Sequence, residues 1–253
     1  MAKRMTTASN FTLAGYGDLL TQFFEVGYRV CSFTEASEEC ADLVLRHDVD
    51  MSLAAALEMA KFEAHRDISA TYFVLLRSPL YNLLTEENTD FLQQILALGH
   101  DVGLHFDAAL YEGEIMVLDQ AAEVECAILE GFLGRRVEVI SLHRPRPVLL
   151  GYDQPIAGRI HSYQPKYFFK MGYCSDSRGG WHHGYPFDHE AVAGRRAMQL
   201  LTHPIWWTGV DGPPEDRLRE FIKISSAKLD VALAEQCDTH RAGAVRIITG
   251  EQE

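Results

Sequence analysis

Segments of strand and helix character alternate along most of this chain, and that alternation limits its fold more than any single motif does. The pattern predicts strands at 28–33, 43–48, 68–76, 102–106 and 137–142, and helices at 16–25, 52–65, 86–98 and 114–133. Gly27, Gly99 and Gly134 read as helix stops and Ser52 as an N-cap. Residues 145–190 have little periodicity; a strand at 198–202, a helix at 215–236 and a strand at 245–249 follow. Repeated β–α units imply parallel strands joined by right-handed crossovers. The expected fold is therefore α/β: a closed or nearly closed (β/α) barrel of about seven or eight parallel strands, with an open doubly wound sheet as the alternative. The 253 residues suit one domain spanning 1–253.

The polar residues collect where such a fold puts its active site, at the C-terminal ends of the strands. Arg46-His47-Asp48-Val49-Asp50 closes an apolar run that reads as a buried strand. Side chains alternate along a strand, so Asp48 and Asp50 share a face. Two crowded carboxylates repel unless a proton, a basic neighbour or a metal ion offsets the repulsion. His105 and Asp107 share a face in the same way, and His143, Asp176 and His203 follow at later strand ends. Converging acids and histidines are what a metal-assisted hydrolase needs. Taken singly, the residues leave other readings open. Asp48 caps the next helix or pairs with Arg46, and His105 is a core histidine. His143 is a ligand, a substrate contact or a turn residue, and His203 orients a loop. His100 and Asp101 read as stabilising the start of their strand. His182, His183 and His189 read as loop residues. Trp206-Trp207 divides between core, a sugar-stacking face and an interface.

Composition narrows the class. A net charge of −13 with no basic block argues against a nucleic-acid partner. The five cysteines, Cys31, Cys40, Cys126, Cys174 and Cys237, form no C-x-x-C pair, so they read as buried free thiols in a reducing compartment. The N-terminal residues lack the apolar core of a secretory signal, and no stretch is long enough to span a bilayer. The expectation is a cytoplasmic protein without stable membrane insertion, with a homo-oligomer left open.

In this order, over roughly 43–203, the residues resemble the polysaccharide deacetylase (NodB-homology) superfamily, and the resemblance implies a distorted (β/α) barrel of about seven parallel strands. His47-Asp48-Val49-Asp50 looks like a variant of its first motif, which pairs a general base with a metal ligand. Gly99, His100, Gly103 and His105 match its Gly-His-x-x-Gly-x-His segment, but the usual second metal histidine falls at Ala109. Arg144-Pro145 or Arg146-Pro147 matches an Arg-x-Pro, Asp176 and Trp181 an Asp followed by a Trp, and Leu201-Thr202-His203 a Leu-x-His. The pattern looks most like the cytoplasmic members of surface-polysaccharide (O-antigen) gene clusters, which act on sugar precursors. The resemblance implies Asp48 as base and His203 as general acid. It implies a divalent ion, with zinc the first choice, on Asp50 and His105, with His143 replacing the missing histidine. Arg144, Asp107, Asp176 and Trp181 would contact substrate, and Arg144 would orient Asp48 or hold a carboxylate or phosphate. The implied reaction is deacetylation of an N-acylated sugar precursor, a nucleotide sugar or lipid-linked saccharide. The alternatives are hydrolysis of another C–N bond (formamide, ureide or uronamide) and, because of Ala109, a saccharide-binding pseudoenzyme.

Overall fold

A computed structural model describes residues 11–243. The chain divides into two compact units, Met1–Gly209 and Val210–Glu253. The first holds eight strands: β1 (Arg29–Val30), β2 (Asp42–Val49), β3 (Thr71–Val74), β4 (Asp101–Phe106), β5 (Val139–Leu142), β6 (Ile160–His161), β7 (Gly172–Ser175) and β8 (Met198–Thr202). Seven of them run in the order β6-β5-β4-β3-β2-β8-β7, with β1 paired to the start of β2, and all pairings are parallel.

This sheet is curled. β6 and β8 are five steps apart along it, about 24 Å if it were flat. Yet Gln199 on β8 donates to the carbonyl of Ser162, just past β6, at 3.2 Å. The fold is thus the expected distorted barrel, open between β6 and β7. The π-helical turn Lys166–Lys170 lies between those two strands, and the Tyr167 hydroxyl donates to the Phe33 carbonyl at 2.8 Å.

Local sequence explains the main elements. Both faces of β2 are buried, which is why its first half, Leu43-Val44-Leu45, is a continuous apolar run. The helices α1 (Leu13–Glu25), α2 (Leu53–Ala64) and α3 (Glu86–Ala97) begin at Thr12, Ser52 and Thr85, each hydroxyl accepting a backbone N–H of the first turn. α4 (Ile115–Leu133) ends at Gly134, in the left-handed conformation. Gly103 is needed for space: a Cβ there would lie 2.5 Å from the Phe73 ring and 2.7 Å from the Val139 carbonyl oxygen.

Two expectations need correction. The stretch read as irregular contains β6 and β7, edge strands of two and four residues, too short to show a period of two. Cys31, Cys126 and Cys174 are buried free thiols, but Cys40 and Cys237 are exposed. The short α5 (Glu190–Ala193) precedes β8, and α6 (Pro214–Gln236) belongs to the second unit. The strand expected at 245–249 lies outside the described residues. Among those residues, no helix is long and apolar enough to cross a membrane.

Candidate active site

The C-terminal strand ends open into a cleft of about 270 Å³. Its floor begins with Arg46, which is fully buried on the concave side of the sheet. Arg46 Nε donates to Asp48 Oδ1 at 2.9 Å and Nη2 to Oδ2 at 2.7 Å, a two-point grip on one carboxylate. Burial pushes the Asp48 pKa up, but the Arg46 charge and then His105 outweigh it and hold Asp48 below its usual range. The guanidinium lies over the rings of Tyr163 and Phe73, and its remaining Nη1 reaches Gln199 Oε1 at 3.4 Å. The two residues are two apart on one strand, so the alternation that pairs Asp48 with Asp50 also pairs it with Arg46.

Beside this pair three ligand-type atoms converge. Asp50 Oδ1 lies 3.2 Å from His105 Nε2 and 3.1 Å from His143 Nδ1, and the two imidazole nitrogens are 3.2 Å apart. His143 is carried there because its N–H extends the β4–β5 ladder, donating to the Phe106 carbonyl at 3.0 Å. Ser141 sets the tautomer of His105. Its single hydroxyl hydrogen goes to the acceptor-only carboxylate Asp48 (Oδ1, 3.1 Å), so its oxygen receives Nδ1–H of His105 at 3.0 Å. The Nε2 lone pair is thereby left facing the other two atoms. Asp50 Oδ1 is buried without a hydrogen-bond partner. A tetrahedral ion with ligands at roughly 2.0–2.1 Å needs them about 3.3 Å apart. The triangle meets that requirement, and an orphaned carboxylate oxygen at its corner is what a cation would satisfy. Burial pushes Asp50 up and His143 down, but His105 and then His143 hold Asp50 below its usual range, and Asp50 holds His143 above its own.

His203, just past β8, closes the far side of the cleft. Its Nδ1 is 2.6 Å from Asp176 Oδ1, and its Nε2 faces the cleft, 3.7 Å from Asp50 Oδ2. Burial lowers the pKa of this imidazole, but Asp176, followed by Asp50 and Asp48, raises it to about 9. Asp176 is fully buried and is itself held by the Trp207 indole N–H at 2.7 Å and the His203 backbone N–H at 3.0 Å.

The residues expected at the substrate fall elsewhere. Arg144 does not reach Asp48; its Nη2 pairs with Asp107 Oδ2 at 2.5 Å, and Arg46 takes the place it was expected to fill. Asp107 is engaged by Arg144 and by the Ala109 N–H. Asp176 is fully buried, and Trp181 packs tilted against Trp207 and edge-on to Tyr185, outside the residues that line the cleft. Trp206 and Trp207 are both buried, which removes them as an interface: Trp206 lines the cleft and Trp207 holds Asp176. Ser141 escaped the sequence reading, and the Arg46–Asp48 pair stood in it only as an alternative to a site. Strand parity was the available signal, since Ser141 lies two residues before His143.

No family model matches the chain, and no curated protein matches it. Several solved structures are similar. The likeness is to carbohydrate esterases and deacetylases. A family 4 carbohydrate esterase from Bacillus anthracis is 15% identical over 84% of this chain and 86% of its own, with a TM-score of 0.40. A family 4 acetyl xylan esterase from Clostridium thermocellum, in complex with a cobalt ion, is 14% identical over 74% and 84%, with a TM-score of 0.39. The Streptococcus pyogenes deacetylase PplD, in complex with acetate, is 14% identical over 79% and 83%, with a TM-score of 0.41. These likenesses are distant, and the chemistry follows from the side chains of this chain.

Proposed function

We propose that this chain is a metal-dependent hydrolase that removes the acetyl group from an N-acetylated sugar precursor. The observation that carries the reading is the triangle of Asp50, His105 and His143, flanked by an oriented carboxylate and an oriented imidazole. Two histidines and a carboxylate suit zinc. An ion held there supplies an acidic water and polarises the carbonyl.

The remaining steps belong to protein side chains. Asp48 takes the proton from the attacking water, and Arg46 holds its carboxylate in one orientation. Held below its usual range, Asp48 is a weak base whose orientation is fixed by Arg46. His203 gives a proton from Nε2 to the departing nitrogen, while Asp176 holds its other ring nitrogen. An amine leaving group needs that proton more than an alcohol does, which favours an amide substrate over an ester. His143 completes a three-residue cluster with Asp50 and His105, which supports turnover over a binding-only role.

The test is acetate release from a panel of N-acetyl sugars and their nucleotide derivatives, with metal content measured on the same sample. The expected result is equimolar acetate and free amine from one member of the panel, lost in Asp48→Asn. Metal-loaded protein that releases acetate from none of them would overturn the reading.

A further inference from the structure

The geometry points to Arg178 as the residue that recognises a phosphate joined to the sugar in the cleft. This rests on the reading of the cleft as a sugar site. Among the residues lining it, Arg178 is the single lysine or arginine. Its side chain is exposed, and among the described residues no carboxylate or hydrogen-bond acceptor engages it. Arg46 and Arg144, by contrast, are both committed to aspartates.

The backbone under Arg178 adds a second observation. Its φ and ψ are 61° and 25°, the left-handed region that L side chains rarely adopt. Gly179 follows with φ 72°. A turn that needed only this shape would be served by glycine or asparagine without strain. An arginine held there, with no partner in the protein, directs attention to a ligand. The turn is also firmly mounted. The N–H groups of Gly179 and Gly180 donate to the Asp176 carbonyl at 2.9 and 3.2 Å, and Ser177 N–H donates to Ser175 Oγ at 3.1 Å. Asp176 is the residue that orients His203, so the guanidinium is carried two residues from the arrangement that places the acid.

Size and charge identify the ligand chemistry. At about 270 Å³ the cleft lies just below the usual range for ligand pockets, about 300–1,000 Å³. It therefore takes one ring-sized group, and whatever is attached to that ring emerges past the rim. The floor carries Asp48 and Asp50, which repel an anion from the interior. An exposed, unpaired guanidinium on the wall suits an anion on the emerging part, and its planar fork matches phosphate oxygens.

Calorimetric titration tests this without turnover. The probes are the 1-phosphates and the methyl glycosides of N-acetylglucosamine, N-acetylgalactosamine and N-acetylmannosamine, added to zinc-loaded protein. For one sugar the phosphate is expected to bind at least about tenfold tighter than the glycoside. Arg178→Gln removes that difference without changing glycoside affinity, and Arg178→Lys keeps part of it. A preference that persists in Arg178→Gln, equal affinities in every pair, or no phosphate binding tighter than about 10 mM would overturn the role of Arg178. Acetate release that ignores both phosphate and Arg178→Gln would overturn it too, and leave the hydrolase reading standing. Arg178-dependent phosphate binding with no acetate release from any probe would do the reverse.

Discussion

The five residues from Arg46 to Asp50 build two polar clusters on opposite faces of one strand, and the clusters are made of the same residue types. On the convex face His47 is fully buried with Glu63. The Glu63 carboxylate receives the Tyr16 hydroxyl at 2.6 Å, the Tyr72 hydroxyl at 2.7 Å and His47 Nε2 at 2.9 Å. His47 Nδ1 bonds Thr202 Oγ1 at 2.7 Å, and nearby His100 is satisfied by the backbone of Ala60 and Ala70. Both Glu63 oxygens and both His47 nitrogens have hydrogen-bond partners there. On the concave face ligand-type atoms of Asp50, His105 and His143 converge within 3.1–3.2 Å of one another, beside an open cleft. Histidines and carboxylates therefore do not mark a site by themselves. What marks it is convergence of three ligand-type atoms on one point beside open space.

The largest effect should come from emptying the concave corner. Asp50→Ala is expected to abolish stoichiometric metal binding and to cut turnover by on the order of a thousandfold, with little change in unfolding free energy. Elemental analysis and acetate assays check it; retained metal would break the comparison. The mirror experiment is Glu63→Gln on the convex face, which weakens hydrogen bonds to a buried charge. The expectation is about 2–4 kcal/mol less stability in denaturant unfolding, with kcat per folded molecule unchanged within about twofold. A collapse of kcat in a fully folded variant would show that the closed cluster also serves catalysis.

A third experiment sharpens the concave half. His203 is held at about 9, above its ordinary 6.5, chiefly because Asp176 outweighs burial. The acid is therefore protonated at neutral pH, and activity should fall as pH rises through about 9. Asp176→Asn moves that alkaline limb down toward 6.5, visible in the pH profile of kcat. The same shift carries a stability sign. The folded pKa lies above the unfolded one, so this contribution is complete below about 6.5 and is lost as pH rises through about 9. An alkaline limb that stays in place in Asp176→Asn would exclude His203 as the titrating acid. The smallest effect belongs to Arg144→Gln. Its pair with Asp107 is more than half exposed on the arginine side, so stability should barely change and turnover should stay within about twofold.

Much of this was legible in the linear sequence, for a physical reason. Helix caps, glycine stops and strand alternation act over a few residues, so α2, α4, β2 and the shared face of Asp48 and Asp50 follow from neighbours along the chain. Strand-end placement likewise singled out His105, His143 and His203. Partners across the barrel are another matter. Asp107, Asp176 and Arg144 were expected at the substrate, but each found a charged neighbour 27 or 37 residues away in the chain. The two short edge strands, β6 and β7, carry no periodicity of their own. They form because a neighbouring strand supplies their hydrogen bonds. Sequence by itself determined which residues share a face of each strand, since that depends on a period of two. Only the curl of the sheet decided which faces meet. Strand pairing set Ser141 beside His105 and Asp176 near His203, and the curl brought Ser141 to Asp48 and Gln199 to the Ser162 carbonyl, because those choices depend on contacts between segments distant along the chain.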